Sequence, residues 1–243
     1  MASRFHVGCA GWSIRPEHRG LFAPDGSHLE RYASRYPAVE INSSFYRPHQ
    51  PATYARWAET VPAGFSFAVK APKLLTHERQ LLDTGPDLTA FLGEASGLGP
   101  KLGCVLVQLP PSLAYDPRTV ETFLTAIRAR HRGPIVLEPR HPSWFTGAAD
   151  RRLEAHRVGR ALADPICADG GEEPGGWGQT LYLRLHGSPT MYHSSYDDAY
   201  LDRVAARMTA AARDADAVWC IFDNTARGAA TLNALDLLAR LSS

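Results

Sequence analysis

The chain has 243 residues, 44% of them hydrophobic and 21% charged, with a formal net charge of +1. This is the composition of an ordinary globular protein with a full core. It excludes a global electrostatic field for nucleic acid or anionic lipid, although a local basic patch stays open. The opening residues, MASRFHVGCAGWSIRPEHRG, lack a long apolar core, so no secretory leader is expected. No apolar run approaches the roughly 18–20 residues of a membrane span, so no membrane partner is expected. Cys9, Cys104, Cys167 and Cys220 are far apart and form neither a CxxC pair nor a zinc spacing. Three of them sit in apolar runs, which reads as reduced core thiols in a cytoplasmic protein.

In chain order, eight β-rich runs recur: 5–11, 38–42, 65–71, 102–109, 134–138, a weak 159–164, 181–187 and 217–224. Several are nearly continuous apolar stretches, as parallel strands covered on both faces require. Helix signals lie between them. Pro51 opens PATYARWAETV. Asp116-Pro117 precedes a segment whose Val120, Phe123, Leu124 and Ile127 share one face. LDRVAARMTAAARDA is alanine-rich, and Leu232, Leu235, Leu238 and Leu241 form a helical stripe in the closing segment. Alternation repeated eight times with no linker predicts one α/β domain over residues 1–243, a single (β/α)8 TIM-type barrel. The sixth unit is the place to expect irregularity, with GGEEPGGWGQ (170–179) as a flexible loop. QLPPS (108–112) suits a rigid turn and could hold a cis bond.

Strand parity sorts the chemistry, because alternate side chains share a face. Glu40 and Asn42 share one. So do Ser66, Ala68 and Lys70; Leu106 and Gln108; Tyr182, Arg184 and His186; and Val136, Glu138 and Arg140 if that strand runs on through Pro139. Pointed inward, these residues ring the carboxyl end of the barrel together with Asn224, while Trp12, Tyr46 and Trp144 lie just beyond their strands.

Any one of these charges could serve architecture alone, through a Glu138–Arg184 or Glu40–Lys70 bridge. Together they cost desolvation unless paired or used by a ligand. Lys70, Arg140 and Arg184 outnumber Glu40 and Glu138, which favours a small anionic ligand, a phosphate or carboxylate. Glu138 and Glu40 are candidate proton-transfer groups, His186 assists, and His141 is a further candidate. Asn42, Gln108 and Asn224 would orient polar groups, and the three aromatics would wall the pocket. There is no HxH or HExxH spacing, so no metal is expected. No GxGxxG follows the first strand and no GxSxG is present, so no cofactor is expected either. YRPHQPATYARW (46–57) could stack bases or sugars but reads better as loop and helix packing.

The stretches GCAGWS (8–13), VEINSSFYRP (39–48), FAVKAPKLLTH (67–77), KLGCVLVQLPPS (101–112), LEPRHPSWF (137–145), YLRLHG (182–187) and DNTARGAATLNA (223–234) closely resemble the YecE-like family, domain of unknown function 72. The resemblance spans nearly the whole chain and implies a TIM-type barrel. It also implies that Glu40, Asn42, Lys70, Gln108, Glu138, Arg140, Arg184, His186 and Asn224 occupy family motif positions. It implies no activity. Two departures stand out. Asp223-Asn224 replaces the family's usual Asn-Asn, adding a negative charge near the rim or a helix cap. Pro139 replaces a large apolar residue, so the strand should end or bend at Glu138.

Three functions fit these residues. The first is a metal-independent acid–base enzyme, a hydrolase, isomerase or lyase, acting on a small phosphorylated or carboxylated compound. The second is a nucleic-acid phosphodiester enzyme or binder. The third is a non-catalytic ligand-binding or scaffold barrel.

Overall fold

The computed structural model describes residues 5–242. It contains ten strands and seven α-helices, which alternate except between β6 and β9. β1 is Phe5–Cys9, α1 His28–Ala33, β2 Ala38–Ile41, α2 Pro51–Thr60, β3 Ser66–Lys70 and α3 Gly85–Ala95. β4 is Leu102–Gln108, α4 Pro117–Arg128, β5 Ile135–Glu138 and α5 Gly147–Ala155. β6 is Val158–Arg160, β7 Leu162–Asp164, β8 Gly175–Gly176, β9 Thr180–Leu185, α6 Asp198–Ala211, β10 Ala217–Phe222 and α7 Ala229–Leu241. Among the described residues, no helix is long and apolar enough to cross a membrane.

Parallel pairing runs β2-β3-β4-β5-β6 on one side and β7-β9-β10-β1 on the other. Two seams close the barrel. At the first, Ala10 bridges Glu40 and the Gly11 amide donates to the Glu40 carbonyl at 2.9 Å. The backbones lie so close here that a Cβ on Gly8 would stand 2.0 Å from the Ala38 carbonyl oxygen. At the second, Val158–Asp164 makes one crossing broken at Ala161. Its first half pairs with β5 and its second half with β9. Eight crossings result, as the alternation predicts.

The sixth unit is irregular, and the form of the irregularity is specific. Among the described residues no helix follows β7. Instead residues 165–179 wander out and return through β8, which pairs antiparallel with β6. Arg160 anchors this loop, donating to Asp150 Oδ1 at 2.8 Å and to the Gly170 carbonyl at 3.3 Å. The two cis X-Pro bonds are Asp164–Pro165 and Ser188–Pro189, rather than within 108–112.

α4 starts where its sequence says. Asp116 caps it, accepting from the Thr119 amide at 2.8 Å, and Pro117 fills the first turn. Its Val120, Phe123, Leu124 and Ile127 are all buried. α7 differs from expectation. Ala230, Thr231, Asn233, Ala234 and Leu237 face the barrel, while Leu232 is exposed and Leu235, Leu238 and Leu241 are half-buried. Close packing against the sheet selects the small residues of that helix, and its leucines fill the margins.

The barrel interior has its own core of Ala38, Ala68, Cys104, Leu106, Val136, Ala161, Tyr182, Trp219 and Ile221. The alanines make room for Trp219, whose indole stacks on His6 at 4.3 Å and on Tyr182 at 5.9 Å. Gly103 is required here, since a Cβ would stand 2.7 Å from the Trp219 ring. A ring of this size buries roughly 150–250 Å², worth about 4–6 kcal/mol at ~25 cal/mol per Å². This aromatic floor closes the barrel below the charged layer. All four cysteines are free, and Cys167 alone is half-buried rather than buried.

Candidate functional site

Above Trp219 and Tyr182, the inward positions turn from apolar to charged. β2 supplies Glu40, β3 Lys70 and β9 Arg184. Glu138 ends β5, as Pro139 leads one to expect, and Arg140 and His186 follow their strands. Glu40, Glu138, Arg184 and His186 are buried almost completely.

Glu40 and Arg184 form a forked pair. Arg184 Nη2 donates to Glu40 Oε1 at 2.8 Å and Nε donates to Oε2 at 3.0 Å. Tyr182 adds a third bond, its hydroxyl donating to Oε2 at 2.8 Å. Arg184 also lies 3.0 Å from Asp223 and 3.4 Å from Glu138. Burial alone would lower the pKa of this guanidinium. Glu40, Asp223 and Glu138 together raise it well above its ordinary value. Arg184 is thus committed to internal carboxylates and is not a free anion clamp.

Glu138 is paired with Arg140 and lies 3.2 Å from His186 Nε2. Burial raises its pKa, and Arg184 and Arg140 overturn that, holding it far below the usual carboxylate range. Arg140 also reaches Cys167 Sγ at 3.6 Å. Its buried Nε makes no hydrogen bond among the described residues.

Asp223 faces into this cluster. Of the two alternatives its sequence position offered, it is the negative charge at the rim and not a helix cap, and it corrects the charge count. Three carboxylates now meet Lys70, Arg140 and Arg184, so excess positive charge no longer supports an anionic ligand. Strand parity carries the signal: Trp219, Ile221 and Asp223 share the inward face of β10. Asn224 therefore turns the other way, its Nδ2 donating to the Ser194 carbonyl at 2.9 Å and to Asn233 Oδ1 at 3.0 Å. It ties the loop after β9 to α7.

Asp223 Oδ2 lies 3.0 Å from His186 Nδ1. An ionised carboxylate only accepts, so Nδ1 carries the proton. Burial raises the Asp223 pKa, but Arg184 and the bond from His186 bring it below the ordinary value. His186 Nε2 then faces guanidinium donors from Arg140 and Arg184 on one side and the Glu138 carboxylate on the other. The neutral ring can accept from an arginine there, and the protonated ring can donate to Glu138. Tyr192, half exposed, lies edge-on over His186 at 5.8 Å. It sits in an irregular loop whose approach no strand pattern foretells.

Lys70 is the exception among the cations. It is 7% exposed, yet no carboxylate lies within 4.0 Å among the described residues, and the expected bridge to Glu40 is not made. Its ammonium instead stands 4.3 Å from the centre of the Phe45 ring. Burial, then Arg184, lower its pKa, against the pull of Glu40, Glu138 and Asp223.

The remaining candidates are spread out. Asn42 is half-buried at the end of β2, and its Oδ1 has no partner among the described residues. Gln108 donates to the Leu109 carbonyl at 2.6 Å. Trp12 packs edge-on against Trp57, and Tyr46 is 77% exposed. Trp144 is fully buried and donates to the Leu113 carbonyl at 2.8 Å, so it is core and not a pocket wall. His141 accepts from the Ser143 amide at 3.2 Å and so caps the turn after β5.

A groove of about 500 Å³ opens at the ends of β2 and β3, lined by Phe45, Tyr46, Pro72, Leu74 and Phe91 among others. The charged residues inside the barrel do not line it. Phe45 belongs to both, lying under Lys70 and forming part of the groove wall. Among the described residues, no group of three or more His, Cys, Asp or Glu side chains is disposed to hold a metal ion.

A closed parallel barrel with acid–base groups gathered at the carboxyl ends of its strands is a TIM-type barrel protein with a rim cluster. More narrowly, the chain belongs to the family described as Protein of unknown function DUF72, whose model matches residues 6–243. The protein YecE of Escherichia coli is 29% identical to it over 144 residues, 56% of this chain and 52% of that protein. YunF of Bacillus subtilis is 28% identical over 150 residues, 58% and 52% of the two chains. The match thus spans about half the length of these curated relatives. Crystal structures of DUF72 family proteins share the fold. One from Enterococcus faecalis has a TM-score of 0.80 at 22% identity, covering 98% of this chain and 96% of that one. One from Thermotoga maritima has a TM-score of 0.80 at 21% identity, covering 98% and 99%.

Proposed function

We propose that the protein is an acid–base enzyme acting on a small carboxylated or phosphorylated compound at the barrel rim. Lys70 receives the anionic group, and His186 exchanges a proton with the substrate through Nε2. Asp223 fixes the imidazole and stabilises its charged form, with Glu138 alongside as second carboxylate. Arg184 and Glu40 hold these groups in place and take no part in binding. The observation that carries the reading is the contrast between cations. Arg140 and Arg184 are in ion pairs, whereas among the described residues the Lys70 ammonium has no carboxylate within 4.0 Å and stands over an aromatic face. A buried charge left in that state is costly unless a ligand completes it.

The test is a thermal-shift screen of small aliphatic carboxylates and phosphate esters against wild type and Lys70→Ala. A rise in melting temperature in wild type, lost in Lys70→Ala, is expected. Equal shifts in both proteins for every compound would remove Lys70 from the site.

A further inference from the structure

At the opposite end of the barrel, a cavity of about 660 Å³ opens where β5, β6 and β9 begin. We propose that it is a second anion site, for a ligand of the nucleotide class that joins a phosphate group to a planar ring.

Three guanidinium groups line this cavity, those of Arg128, Arg132 and Arg157, and none has a carboxylate within 4.0 Å among the described residues. Arg128 is locked in place. Its Nε donates to the His156 carbonyl at 2.7 Å, its Nη1 to the Gly133 carbonyl at 2.6 Å, and its Nη2 to the Arg157 carbonyl. Its hydrogen bonds among the described residues go to backbone carbonyls. Burial, and then the nearness of Arg157, lower its proton affinity. Arg157 follows α5 at φ 53°, a left-handed position that glycine usually fills. Arg132 and Arg157 are exposed and free to turn into the cavity. Asp216 is the one acid in the lining, which leaves two positive charges unmatched. Like charges converging on a cavity repel, and a phosphate would relieve that repulsion.

The planar part rests on Trp177. The loop that replaces the sixth helix returns through β8, and the Trp177 amide donates to the Val158 carbonyl at 2.9 Å. This places a half-buried indole in the cavity wall. Gln179 and Asp216 lie beside it and offer hydrogen-bonding groups for the edge of a base. The volume is in the range of small-molecule sites.

Calorimetric titration at low salt with ATP, pyrophosphate and adenosine tests the proposal. ATP should bind wild type and Lys70→Ala alike, since the rim lies at the far end. Arg132→Ala/Arg157→Gly should weaken ATP and pyrophosphate by at least about tenfold. Glycine suits the left-handed position, so this variant should melt no lower than wild type. Trp177→Leu should weaken ATP and leave pyrophosphate unchanged. Trp177→Phe keeps a ring, and should keep ATP binding, if the leucine variant does not fold. ATP affinity unchanged in the double arginine variant, or lost in Lys70→Ala, would overturn the site. So would the absence of ATP and pyrophosphate binding to wild type at millimolar concentration. An effect of Trp177→Leu equal for ATP and pyrophosphate would overturn the ring contact.

Discussion

Glu40 and Arg184 stand 144 residues apart in sequence and meet fork to fork inside the closed barrel, with the Tyr182 hydroxyl completing the carboxylate. Neither touches solvent appreciably. Removing one partner leaves a buried charge, so Glu40→Leu or Arg184→Leu alone should cost about 3–5 kcal/mol. Replacing both with leucine should cost less than the sum of the single changes. Denaturant titration of the four proteins gives the coupling directly, and additive losses would show that the pair is not coupled.

Lys70 carries the opposite expectation. Its ammonium is penalised first by burial and then by Arg184, so Lys70→Met should stabilise the apo protein at neutral pH by about 0.5–2 kcal/mol. The penalty is fully present below the folded-state pKa and is lost as pH rises from there through the ordinary, unfolded-state value of 10.5. The advantage of methionine should therefore shrink toward alkaline pH. Melting curves of both proteins across that range provide the check, and a methionine variant less stable than wild type at neutral pH would contradict it.

Glu138 and Asp223 should set the acid limit of stability. Both have folded-state pKa values below their ordinary values of 4.5 and 3.8. Their contribution is therefore complete above those values and is lost as pH falls through the lower, folded-state ones. Glu138→Gln should be less stable than wild type at neutral pH, by about 3 kcal/mol for a broken buried pair. Its stability should also fall less steeply in acid. Parallel acid limbs for the two proteins would rule out Glu138 as a contributor.

The His186 ring should hold its proton on Nδ1. Long-range proton–nitrogen NMR of the neutral ring in the wild type should show that tautomer in large excess. Asp223→Ala removes the acceptor 3.0 Å away and should let the second tautomer appear. An unchanged tautomer in the variant would mean that the arginines facing Nε2 set it instead.

Strand parity made most of this architecture legible. Glu40, Lys70, Glu138 and Arg184 all point inward because period-two alternation leaves them no other choice once Ala38, Ala68, Val136 and Tyr182 are inside. The same rule applied to Trp219 finds Asp223 and turns Asn224 away. What parity does not reach is pairing. Which carboxylate Arg184 meets depends on side-chain length and on barrel closure. These join it to Glu40 on β2 and leave Lys70 without the partner that composition alone would assign. The aromatics were the least legible. Trp144 and Tyr46 both follow strand ends, but one is sealed in the core and the other stands 77% exposed. Loop geometry decides between those fates, and no periodicity encodes it.

The broken sixth crossing also shapes how the molecule opens. β6 and β7 contribute only three residues each, and among the described residues no helix lies between β7 and β9 in the chain. Leu162, Leu183 and Leu185 line a recess there beneath the loop. A hoop yields first where its lap is shortest, so amide hydrogen exchange should be faster along Val158–Asp164 than along β3 and β4. Since β7 leads through Asp164 to the His186 amide, 2.8 Å away, each such opening would unsettle the imidazole first. On that expectation the His186 imidazole hangs from the stave of the barrel that parts first.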